Sequence, residues 1–126
     1  MAIAVNHARL IALCDRLAEA TLAGGVEWRR EDQDTYIWER KEGAVSIGAR
    51  DHDGQPPYEL SVFNSGGLKV EEIASALVEN DLPADWNGPL AELYRIARRS
   101  ALHADEIIEA LMNALPVATE RAFTTD

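Results

Sequence analysis

Between Val26 and Val70 the chain alternates apolar and polar residues, while on either side apolar positions recur every three or four residues. The first pattern is that of strands, whose side chains point to opposite faces in turn; the second is that of amphipathic helices. Leu10, Leu13, Cys14, Leu17 and Thr21 share one face of a helix predicted from about Asn6 to Ala23, with Arg9, Ala12, Arg16 and Glu19 on the opposite face. Asn6 is placed as its N-cap, and Gly24-Gly25 as its end, since glycine enters the left-handed conformation without a Cβ clash.

Four strands follow. Their parity puts Val26, Trp28, Tyr36, Trp38, Val45, Ile47, Ala49, Tyr58, Leu60 and Val62 on one apolar face. Glu27, Arg29, Glu31, Ile37, Glu39, Ser46, Arg50, Glu59, Ser61 and Phe63 fall on the other, expected to be wet and to carry cross-strand Arg–Glu pairs. Asp32-Gln33-Asp34, Lys41-Glu42-Gly43 and Asn64-Ser65-Gly66-Gly67 carry hairpin chemistry, and Asp51 to Pro57 forms a longer loop. Leu68-Lys69-Val70 reads as a fifth strand running into an irregular or helical stretch, since Val70, Ile73, Ala74 and Leu77 also fit a helix.

Gly88-Pro89 opens a further helix, with Leu90, Leu93, Tyr94, Ala97 and Ala101 as its buried stripe. Another runs from about Ala104 through Ile107, Ile108, Leu111, Met112 and Leu115 and stops before Pro116. The expected fold is α+β: an N-terminal helix, a four- to five-stranded antiparallel meander, and two C-terminal helices packed on one sheet face. One domain is expected over residues 1–118, with a polar tail over 119–126.

Charge changes the picture more than composition does. The net charge is -10: residues 1–50 carry seven Lys and Arg against eight Asp and Glu, residues 51–126 five against fourteen. Such a surface disfavours direct nucleic-acid binding, which depends on neutralising phosphates, and steers the chain toward basic protein surfaces. No run approaches the length of a membrane span, Met1 to His7 lacks the pattern of a secretory signal, and the single Cys14 suits a reducing compartment, so the expected location is cytoplasmic.

The residue chemistry asks for no cofactor, metal or catalytic centre. His7, Cys14, His52 and His103 stand singly, without the paired spacing of zinc ligands. Asp51-His52-Asp53-Gly54 opens like a calcium loop, but Val62 stands where the bidentate Glu belongs, which leaves Asp51 and Asp53 as turn formers. There is no Gly-x-Ser-x-Gly, Ser-x-x-Lys or phosphate loop, Ser65, His103 and Asp51 have no spacing that marks a triad, and Glu71-Glu72 should diverge. Parity assigns the strand aromatics to the core. Trp86 stands apart, as a loop anchor or an exposed contact. Arg95, Arg98 and Arg99, with His103 one turn beyond Arg99, form the densest positive group of the acidic half, as either a solvated face or an anion or acidic-partner site. Arg95, Arg98, Arg99, Trp86, Asp51 and Asp53 are therefore the candidate partner contacts.

Trp28, Tyr36 with Trp38, Ala44-Val45-Ser46-Ile47, Tyr58-Glu59-Leu60-Ser61-Val62 and Leu93-Tyr94-Arg95-Ile96-Ala97-Arg98-Arg99 together resemble small bacterial and phage-associated α+β proteins of unassigned function, over about residues 10–115. The resemblance implies a bacterial or phage origin and carries over no catalytic residue. Three function classes follow: a non-enzymatic binding factor of inhibitor, immunity or counter-defence type engaging a basic partner; an acidic dimeric chaperone resembling secretion chaperones; and a small-ligand domain with a pocket between sheet and helices.

Overall fold

The computed structural model describes residues 2–51, 53–78 and 82–116. The expected tail at 119–126 lies outside them. The chain runs α1 (Ala2–Leu22), β1 (Arg29–Asp32), β2 (Thr35–Arg40), β3 (Gly43–Ala49), β4 (Tyr58–Asn64), β5 (Lys69–Ala74), β6 (Leu77–Val78), β7 (Leu82–Pro83), α2 (Asn87–Ala101) and α3 (Ala104–Ala114). Strands β1 to β5 form an antiparallel meander in sequence order, and β6 pairs with β7. This is the α+β architecture expected, with an N-terminal helix, five antiparallel strands and two C-terminal helices.

The register explains the core. Tyr36 pairs with Ile47, Ile47 with Leu60, and Leu60 with Ile73, so one buried row crosses four strands. All ten residues that parity assigns to the apolar face belong to the core or pack against it. Helix α2 lays Leu90, Leu93, Tyr94 and Ala97 over this face, and α1 adds Leu10, Cys14 and Leu17 beside it. Trp28 joins the layers: its indole N–H donates to Thr21 Oγ1 of α1 at 2.9 Å and its backbone N–H to Ser100 Oγ of α2 at 3.1 Å.

Several expectations are corrected. Helix α1 begins at Ala2, so Asn6 lies inside it and not at its start; the alanines ahead of Asn6 are strong helix formers. Strand β1 begins only at Arg29, because the Trp28 N–H is given to Ser100 and not to a strand. Pro89 sits in the first turn of α2 but two residues after its start, still where no N–H is needed. The expected fifth strand is present and runs further, over residues 69–74, and the short paired strands β6 and β7 follow where an irregular or helical stretch was expected. On the supposedly wet face, Ile37, Ser46 and Ser61 are buried. The longer side chains of the cross-strand pairs Arg29–Glu39 and Arg50–Glu59, the latter 2.9 Å apart, flank these shorter ones.

Helix α3 departs most from the expected packing. Helices α1 and α2 together reach all five strands, leaving no core face for a third helix. No residue of α3 is buried.

Candidate functional site

Two surface features stand out, and the turn between α2 and α3 joins them. His103 holds the left-handed conformation, φ 55° and ψ 43°, which for a non-glycine residue costs on the order of 1 kcal/mol. Lying two residues past the end of α2 and just ahead of α3, it sets the turn between the two helices. Two surface contacts then brace the turn, the ion pair of Arg99 with Asp105 and a hydrogen bond between His103 Nδ1 and Glu106 Oε1 at 3.2 Å.

The first feature is the outer stripe of α3. Ile107, Ile108, Leu111 and Met112, with Leu115 just past the helix end, are between 47% and 66% exposed. They follow the spacing of one helical face, and Asp105 and Glu109, one turn apart, run along the margin beside Ile108 and Met112. The sequence pattern located this stripe correctly as a face; what it could not supply was that two other helices already fill the core.

The second is an open cleft of about 900 Å³ between α2 and the β1–β2 and β3–β4 loops. Arg95, Arg98 and Arg99 come from the exposed side of α2, and Asp34, Asp53 and Gly54 from the loops. Tyr58 and Tyr94 also line it, stacked with ring centroids 4.5 Å apart. The Tyr94 hydroxyl donates to Asp34 Oδ1 at 3.4 Å, and the Tyr58 hydroxyl to the Gly54 carbonyl at 3.1 Å. Burial raises the Tyr94 phenol well above its ordinary value, Tyr36 and Asp34 push the same way, and Arg98 opposes them. Burial, then Asp53, raises Tyr58 as well.

Of the sequence-derived candidates, the structure thus brings Arg95, Arg98, Arg99 and Asp53 into one cleft. Asp53 Oδ1 accepts from the Gln55 N–H at 2.9 Å, the turn-forming role its sequence context suggested. Asp51 lies exposed in the same loop but does not line the cleft. Trp86 is half-buried and apart from it: its ring meets His7 at 4.5 Å and its N–H donates to the Ala74 carbonyl at 2.8 Å, which is an anchor's position. Asp34 was legible only as a turn residue, and the tyrosines only as core; both readings are correct and incomplete, since each also reaches the cleft.

Cys14 is buried, and desolvation, aided by Asp15, pushes its thiol up to about 12. It is thus a core residue poorly suited to nucleophilic work. Among the described residues no three His, Cys, Asp or Glu side chains gather as a metal site would require, and no helix is long and apolar enough to cross a membrane. Comparison with protein-family models, curated proteins and solved structures finds no match to this chain.

Proposed function

We propose that this protein is a small acidic, non-enzymatic binding factor, of inhibitor, immunity or counter-defence type, that lays the outer face of α3 into an apolar groove with a basic rim on a protein partner. The observation that carries this reading is the exposed stripe of Ile107, Ile108, Leu111, Met112 and Leu115 on a helix with no buried residue. An isolated helix of this length is marginal in water. The contacts bracing α3 are exposed, and an exposed ion pair such as Arg99–Asp105 contributes less than about 1 kcal/mol. Covering five half-exposed side chains would add roughly 1 kcal/mol apiece, the packing energy that α3 lacks within its own domain. Docking an amphipathic helix into a groove is a common recognition mode, and the stripe supplies its anchors at the required spacing.

Charge selects among occupants. The chain is at -10 overall, and the α3 margin carries Glu109 together with Asp105, the latter paired with Arg99. A second copy would bring like charge to that margin, whereas a basic rim would complement it and speed encounter. The exposed stripe also supports a second reading, the dimeric chaperone, with charge weighing against it.

The experiment is capture from extracts of the native host, run in parallel with wild-type protein and the Leu111→Glu/Met112→Glu variant, together with sedimentation of the isolated protein. The proposal expects a monomer, and a basic partner that wild type retains, the variant loses and added salt releases. A wild-type dimer that the variant splits would assign the stripe to self-association instead.

A further inference from the structure

We propose that the cleft between α2 and the β1–β2 and β3–β4 loops binds a small zwitterion of amino-acid or dipeptide size, its carboxylate held by Arg98 and its ammonium by Asp34 and Asp53. The two walls differ in charge: the α2 side carries three arginines and one carboxylate, Glu92, and the loop side the carboxylates of Asp34 and Asp53. Arg95 is already paired with Glu92, and Arg99 with Asp105. Among the described residues Arg98 makes no ion pair, and neither Asp34 nor Asp53 forms one with any of the three arginines. Arg98 and Asp34 nevertheless address the same group, since both act on the Tyr94 hydroxyl. Unlike charges therefore share the cleft without closing on one another.

This arrangement discriminates between ligand charges. A simple anion meets Asp34 and Asp53 on the facing wall, and a simple cation meets Arg98. A molecule carrying both signs satisfies both walls. The guanidinium fork suits a carboxylate, and an ammonium beside Asp34 also lies near tyrosine rings that favour a cation. The volume is within the range of small-molecule sites. The site is also preorganised. Tyr58 is stacked on Tyr94 and holds the Gly54 carbonyl, Asp53 is fixed by the Gln55 N–H, and the Arg50 N–H donates to the Pro57 carbonyl at 2.9 Å across the loop base. The proposal does not use the α3 stripe, so it stands or falls independently of the partner reading.

The test is a titration of isotope-labelled protein, followed by amide NMR shifts, with four probes: alanyl-alanine with free termini, the same dipeptide acetylated and amidated, sodium acetate, and methylammonium chloride. The expected result is saturable shifts at Gly54, Gly88 and Tyr94 with the free dipeptide alone. Arg98→Gln and Asp34→Asn should each weaken it by about tenfold while leaving the spectrum elsewhere unchanged. Asp53→Asn, on the exposed loop, provides a third variant with the same expectation should either of the others disturb the fold. Absence of saturable shifts, equal binding of the capped dipeptide or of either ion alone, or unchanged binding by folded variants would overturn the proposal.

Discussion

Tyr94 stacks on Tyr58 with ring centroids 4.5 Å apart and planes 22° from parallel, while Tyr36 meets the same ring at 5.8 Å, tilted by 57°. This cluster is at once the end of the core and part of the cleft lining. Tyr94→Ala should therefore cost about 3–5 kcal/mol, in the range for large aromatic truncations. Tyr94→Phe keeps the stacking and loses only a long hydrogen bond to Asp34, so its cost should stay below about 1 kcal/mol. Urea denaturation of the two variants checks the difference.

Alkaline pH should destabilise the fold. The Cys14 thiol rises to about 12 from an ordinary 9.0, and the Tyr94 phenol is raised from 10.0. The native state then keeps protons that the unfolded chain releases, so stability falls as pH rises. The thiol contribution is intact below pH 9 and disappears as pH climbs to about 12; the phenol contribution begins to fall near pH 10. Denaturation midpoints should drop over this window, and Cys14→Ala should flatten the part between pH 9 and 10.

Gly48 has no room for a side chain. An added Cβ would lie 2.6 Å from Thr35 Oγ1 and 2.8 Å from the Asp34 carbonyl oxygen. Gly48→Ala should destabilise by about 1–3 kcal/mol through overpacking. Adding Thr35→Ala should restore only part of that, because the contact with the Asp34 backbone persists. Thermal unfolding of the single and double variants measures both.

At His103 the backbone is strained and not the side chain. Glycine tolerates the left-handed region but loses more freedom on folding, so His103→Gly should be neutral or stabilising by up to about 1 kcal/mol. The β-branched His103→Val should be destabilising. Denaturant midpoints for the pair, at equal slope, distinguish strain from any loss of the exposed hydrogen bond with Glu106.

Much of this architecture was legible because strand parity and helix periodicity are local. Tyr36, Ile47 and Leu60 could be assigned to one face without knowing their partners. What covers a face is not local. The stripe of α3 has the same apolar pattern as the buried stripe of α2, and only the tertiary arrangement distinguishes Leu93, fully buried, from Leu111, 61% exposed. The cleft escaped for a related reason. Asp34 and Arg98 are 64 residues apart in sequence and come to line one cleft through the packing of α2 on the sheet. Ile37 shows the converse: assigned to the outer face by parity, it is buried beside a cross-strand ion pair that parity alone cannot place.

One variant tests together whether α3 presents its stripe to a basic partner and whether that stripe is free of its own core. Leu111→Glu/Met112→Glu should leave stability within about 1 kcal/mol of wild type, as surface substitutions do, while Leu93→Ala costs about 2–5 kcal/mol. The most direct measurement is the binding of this folded variant, beside wild type, to the protein captured from native extracts, across a series of salt concentrations. The expected result is a basic partner whose affinity for wild type falls with salt and is lost in the variant. Undiminished binding by the variant, or a partner that is acidic and indifferent to salt, would overturn the assignment of the α3 stripe as a basic-partner contact.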